Sequence, residues 1–188
     1  MIRLASTSPQ RRAILEQLGI PFEVVPPQYV EHDPPGADPV DLVREHARGK
    51  VRSVASAGQL VLGVDTTVVL DGGVYGKAAD ESDAASMLRA LGGRTHEVVS
   101  GLCLAWDGGE LLEHDVTRVT FRKLEARDVR AYLETGEWRD RAGAYAIQGR
   151  GAALVERIEG DYLNVVGLPA ALLVRLLSTH FPGAYGFG

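Results

Sequence analysis

Apolar positions fall into short runs and helical stripes that alternate along the chain, each closed by serine, proline, glycine or aspartate. Ile2–Ala5 is a short apolar run closed by Ser6-Thr7-Ser8-Pro9, after which Ile14, Leu15 and Leu18 recur at helical spacing up to Gly19. Phe22–Val25 reads as a second strand. The stretch from Pro26 to Pro39 is too rich in proline and glycine for regular hydrogen bonding and is a candidate lid or site wall. Asp38-Pro39 makes an N-cap and first-turn pair that opens a helix carrying Leu42, Val43, Ala47, Val51 and Val54, ended by Ser56-Ala57-Gly58. Leu60–Leu70 is apolar enough for a buried strand, followed by the turn Asp71-Gly72-Gly73 and a return through Val74-Tyr75.

Asp80 and Asp83 cap a helix with Ala84, Met87, Leu88 and Leu91, stopped by Gly92-Gly93. Val98–Trp106 and Val116–Phe121, joined through Asp107-Gly108-Gly109, predict a long hairpin. Ala126–Thr135 predicts a helix, Trp138–Gly151 a loop leading to the strand Ala152–Ile158, and Pro169–Leu177 a last apolar helix before a frayed tail, Pro182–Gly188. Strands and helices interleave without a regular βαβ repeat, so a mixed α/β sheet with hairpins is favoured over a doubly wound parallel one.

With 188 residues, 45% hydrophobic and 24% charged, the chain is expected to fold as one domain over 1–188. A formal charge of -5 argues against broad attraction to nucleic acid or an anionic membrane, so any anion site has to be built locally. The single cysteine, Cys103, lies in an apolar run and reads as a small core side chain in a reducing cytosol. No apolar run is long enough to span a bilayer and the N-terminus carries no signal-peptide pattern, so a cytoplasmic, unprocessed protein is expected.

Three stretches carry chemistry. In Ser6–Arg12, Ser8 and Pro9 look like N-cap and first helical residue, which puts Arg11 and Arg12 at the helix end where the macrodipole disfavours cations. An anion held there by backbone N–H groups, hydroxyls and guanidinium explains the arrangement; arginines extended into solvent are the alternative. In Gly63-Val64-Asp65-Thr66-Thr67 an acid interrupts a buried strand, so Asp65 has to meet a cation, a metal or hydrogen-bond donors. Lys50, Lys77 and Glu31 are candidate partners, although each taken singly is more often a solvated surface charge. Two acids that hold a divalent cation and activate water, with two lysines that neutralise phosphate charge, suit phosphoanhydride hydrolysis. The third stretch, Gly143–Gly149, follows Arg141 and offers the amide of Gln148 toward a base edge, or is a packed connection. His96 reads as structural, and no zinc spacing or nucleophile set is present.

These features in this order resemble the Maf family. Its opening signature stands as Leu4-Ala5-Ser6-Thr7-Ser8-Pro9-Gln10-Arg11 and its central motifs as Gly63-Val64-Asp65-Thr66 and Gly76-Lys77-Ala78-Ala79-Asp80. Leu91–Val98, Ala142–Gly149 and Asn164–Pro169 follow in register, so the match runs from Leu4 to about Leu177. The resemblance implies an elongated Maf/ITPase-like sheet with flanking helices and two lobes around a central cleft. It also implies pyrophosphatase activity on nucleoside triphosphates with Mg²⁺ or Mn²⁺. Asp65 matches the general base; Glu31, Lys50 and Lys77 match the supporting acid and lysines, with Asp65 and Glu31 as metal ligands. Ser6, Ser8 and Arg11 match the phosphate-binding start, Gln10 stands at a substrate-binding position within it, and Thr66 and Gln148 match the substrate-selecting positions. The Ile-Gln-Gly form at 147–149 is similar to the dTTP/UTP branch. Gln10 and Ala78 depart from the family's arginine and proline, the former at a position linked to substrate choice. A 7-methyl-GTP or other non-canonical preference, and a nucleotide-binding regulator of septum formation, are the alternatives. A homodimer is left open.

Overall fold

The computed structural model describes residues 1–187 and divides them into two compact units, each built on its own core. The first comprises residues 1–66, 100–115 and 167–187. It opens with β1 (Ile2–Leu4), α1 (Pro9–Gln17), β2 (Phe22–Val24) and α2 (Pro39–Val54). β1 lies parallel both to β2, pairing Ile2 with Phe22, and to β3 (Leu60–Leu70), pairing Ile2 with Leu60. β3 leaves this unit at Thr66 and ends in the other.

The sheet has seven strands in the order β2-β1-β3-β5-β6-β7, with β4 (Gly73–Tyr75) on β3; β5 is Thr95–Trp106, β6 Gly109–Phe121 and β7 Val155–Glu159. The β3–β4 and β6–β7 pairs are antiparallel, which makes the sheet mixed, as the absence of a βαβ repeat predicts. Among the described residues no helix is long and apolar enough to cross a membrane.

Local signals set the helix bounds. Ser8 caps α1 by accepting from the Arg11 N–H, and Pro9 opens it. Gly19, at φ +67°, closes it: its N–H reaches the Glu16 carbonyl while that of Ile20 reaches Leu15, a pair of bonds that needs a left-handed residue. Asp38 caps α2 through the N–H groups of Val40 and Asp41. The buried stripe of α2 is Val43, His46, Ala47, Lys50 and Val51, so an apolar face carries two polar side chains into the fold.

That face meets β3 and β5 at backbone distance. A β-carbon on Gly63 would lie 2.4 Å from the Ala47 carbonyl oxygen, and one on Gly101 2.2 Å from that of Val43. The two glycines let α2 settle onto the strands with no side chain between. Cys103 is fully buried here beside Ala5, Ala47, Val51 and Val61, and burial pushes its thiol up to about 12, consistent with an inert core residue.

The second unit, residues 67–99 and 116–166, packs α3 (Glu81–Leu91) and α4 (Ala126–Leu133) around Val98, Val119, Phe121, Tyr145 and Leu154. His96 is buried in this core; its Nε2 meets the Tyr145 hydroxyl at 2.9 Å and its ring packs edge-on to Phe121. Desolvation lowers the imidazole to about 4, so it is a neutral structural histidine, as read from the sequence.

Several elements differ from the sequence reading. Residues 152–154, expected as strand, belong to a 3₁₀ turn over Arg150–Leu154 that precedes β7. β6 is continuous from Gly109 because residues 110–115, though largely polar, complete the hairpin. A five-residue helix, α5 (Tyr162–Val166), lies where only a motif was read, and α6 (Ala170–His180) runs beyond Leu177. The tail is turned rather than frayed: Ala184 N–H reaches the Phe181 carbonyl, and Gly183 N–H that of Phe187. Gly188 lies outside the described residues.

Candidate active site

Asp65 stands midway along β3, in the first unit, its side chain 14% exposed. One oxygen accepts from the Lys50 ammonium at 2.5 Å; the other lies 3.4 Å from His46 Nδ1. Lys50 projects from the buried face of α2 and also reaches Glu31, in the loop ahead of that helix, at 2.7 Å. The acid in the apolar strand is therefore compensated by a buried cation, and three of the residues singled out from the sequence meet at one point.

Desolvation pushes the Asp65 carboxyl upward, but the His46 hydrogen bond and the charges of Lys50 and Arg11 outweigh it and hold the pKa below the ordinary carboxylate value. His46 moves up, chiefly through the same bond to Asp65, against the lowering effect of burial. Its Nε2 faces the His32 carbonyl at 3.3 Å and Asp33 at 3.3 Å, so both ring nitrogens point at acceptors. Sequence reasoning passed over His46. The available signal was its position four residues before Lys50, on the same helical face.

Beside this cluster is the start of α1. The Arg11 guanidinium bonds the Gly167 carbonyl at 2.9 Å, Ser6 Oγ at 3.2 Å and Thr66 Oγ1 at 3.4 Å. Burial draws its pKa below the usual arginine value, opposed by the charges of Asp65 and Glu31. Thr66 Oγ1 also pairs with the buried Ser100 hydroxyl at 2.8 Å, so a second set of predicted residues converges: Ser6, Arg11 and Thr66. Ser8 Oγ caps α1 and donates to Gln10 Oε1 at 3.0 Å, while Arg12 is exposed. Ser100, inside an apolar strand, was a legible signal that the sequence reading did not use.

Lys77 and Gln148 belong to the second unit. The Lys77 backbone bridges Ala142, and the Gly143 N–H reaches the carbonyls of Tyr75 and Gly76, so two glycine-containing motifs are joined there. Gln148 is exposed on a loop held by Glu137, whose carboxylate accepts from the N–H groups of Arg150 and Gly151.

Glu31, His46 and Asp65 each offer a donor atom, and the three atoms lie within 4.8 Å of one another. Both carboxylates already converge on one positive centre, the Lys50 ammonium. A hard divalent cation takes one or two such carboxylates and completes its shell with phosphate oxygens and water, so the donor set fits one.

A family model described as Maf-like protein matches residues 1–180. A dTTP/UTP pyrophosphatase of Symbiobacterium thermophilum is 48% identical over 177 residues, covering 93% of this chain and 91% of that protein. One of Nitratidesulfovibrio vulgaris is 51% identical over 178 residues, covering 93% and 85%. Among solved structures, a HAM1 protein from Coxiella burnetii matches with a TM-score of 0.52 at 16% identity, over 94% of this chain and 98% of that one, a likeness of fold alone. The family match spans nearly all of the chain, including the acid in β3 and the serine–arginine start of α1, and on that ground the chain belongs to the Maf-like proteins.

Proposed function

We propose that this chain is a nucleoside triphosphate pyrophosphatase that hydrolyses dTTP and UTP to the nucleoside monophosphate and pyrophosphate, assisted by Mg²⁺ or Mn²⁺. The observation that carries the reading is Asp65, a carboxylate kept ionised inside a strand by Lys50 and His46, beside a second acid and an arginine–serine anion cradle. The dTTP/UTP preference is supported by relatives of that name at 48% and 51% identity.

In this mechanism Asp65 accepts a proton from water while the water oxygen bonds to the α phosphorus. The bond from that phosphorus to the α–β bridging oxygen breaks, and its electron pair leaves with pyrophosphate. Lys50, now shared between two carboxylates, is a cation for which polyphosphate oxygens compete, and Arg11 with Ser6 and Ser8 supplies donors at the positive end of α1. Asp65 and Glu31 would hold the divalent ion, which supplies Lewis-acid neutralisation of phosphate charge. The family resemblance assigns Lys77 to the phosphates and Gln148 to the base edge. Thr66 contributes by seating Arg11.

The test is Asp65→Asn, assayed by pyrophosphate release and product chromatography. The expected loss is about 10²–10⁴-fold, the usual effect of removing a general base. Near-normal turnover by the folded variant, or nucleoside diphosphate as the wild-type product, would overturn the reading.

A further inference from the structure

Glu31 is a half-exposed carboxylate on a segment without regular hydrogen bonding, yet it meets Lys50 at 2.7 Å. Residues 28–33 are laid along α2 by a series of contacts. The Gln28 N–H reaches Ser53 Oγ at 3.1 Å, and that hydroxyl donates to the Lys50 carbonyl at 2.7 Å. The His32 carbonyl meets His46.

Between them the Tyr29 ring covers Gly49. A β-carbon there would lie 2.2, 2.5 and 2.6 Å from three ring atoms, so the ring occupies the space of a missing side chain. The ring also stands edge-on to His46, centroids 5.8 Å apart. Val30 is 86% exposed, as expected for an extended segment whose alternate side chains, Tyr29 and Glu31, face the helix.

We infer that Tyr29 is the positioning residue that seats Glu31 at Lys50 and Asp65, and that the bare Gly49 is its socket. The inference rests on the role of Glu31 given above. Gly49→Ala is the sharp test, because alanine is the better helix former while its methyl group expels the ring. The expected result is a thermal midpoint no lower than wild type. It comes with about 10–100-fold weaker Mn²⁺ binding, the usual range for losing a group that orients a ligand, read by calorimetry on protein saturated with α,β-imido-dTTP.

Tyr29→Ala should reproduce the loss and Tyr29→Phe restore wild-type binding. Glu31→Ala should weaken Mn²⁺ at least as much, and combining it with Gly49→Ala should add nothing, since both remove one interaction. Wild-type Mn²⁺ affinity in Gly49→Ala, with Glu31→Ala impaired, overturns the positioning role alone. Wild-type affinity and turnover in Glu31→Ala overturns the assignment of Glu31 and this inference with it.

Discussion

Lys50→Met separates the two tasks of the lysine, because it removes the ammonium and keeps most of the stem that crosses the α2 face. At 2.5 Å from Asp65, the gross attraction is about 7 kcal/mol at an effective dielectric of ~20. Breaking a buried pair typically costs ~3–5 kcal/mol, since the partner is left uncompensated. The side chains here are 10% and 14% exposed, so solvent screening lowers the expected cost to ~2–4 kcal/mol. For a chain of this size each kcal/mol moves the thermal midpoint by about 2–4 °C, giving a fall of roughly 5–15 °C.

The measurement is thermal unfolding with EDTA and again with Mn²⁺. A divalent ion should take over the two carboxylates that the ammonium released, so Mn²⁺ should stabilise the variant more than the wild type; at a hundredfold excess over its dissociation constant the variant itself gains about 2.7 kcal/mol. Turnover should remain low, because the phosphate counter-charge is gone. Lowering the pH offers a check on sign. Wild-type Asp65 titrates below its ordinary value, so its contribution is present above that value and lost as pH falls through the folded pKa. The gap between the proteins should therefore narrow in acid. A variant in EDTA that melts within a degree of wild type, or one that Mn²⁺ stabilises no better, would refute this account of the cluster.

Two further outcomes follow from other residues. Gln10 accepts from Ser8 and stands where the family carries arginine; Gln10→Arg should sharpen the preference for dTTP and UTP over CTP and GTP in kcat/KM, and an unchanged ranking would show that the position does not select the base. His96, neutral in the fold down to about pH 4, should cost stability in acid. The unfolded imidazole takes its proton near 6.5, so the contribution is full above that pH and falls by ~3 kcal/mol as pH drops to 4. Urea unfolding at pH 7 and 4.5 should show a smaller pH difference in His96→Phe than in wild type, and an equal difference would remove His96 as the source.

Much of the fold was legible because its signals are local. Ser8-Pro9, Asp38-Pro39 and Asp80 each mark a helix start by a cap that operates within one turn. Leu60–Leu70 reads as a buried strand from its own composition. Residues 110–115 do not read as strand because they are largely polar, none is buried, and they carry no alternation. The five-residue α5 is too short for a helical period; its buried Asn164 donates to the Val98 carbonyl and Thr117, contacts distant in sequence. In the candidate site, the Asp65–Lys50 pairing could be anticipated from the need of a buried acid for a cation. The engagement of Thr66 with Ser100 and Arg11 could not, because it depends on residues 34 and 55 positions apart.

The backbone seat of α2 bears on how this chain can diverge. Helices usually rest on a sheet through side chains, and a change of volume there shifts the helix by part of that volume. Here the carbonyls of Ala47 and Val43 lie 2.4 and 2.2 Å from where β-carbons on Gly63 and Gly101 would stand, so backbone contacts limit how closely α2 can approach. Substitutions among the surrounding valines and leucines can accumulate with little effect on the reach of Lys50 and His46 toward Asp65. A single methyl group at either glycine would lift both side chains together, concentrating the mutational sensitivity of the helix placement in two residues that have no side chain.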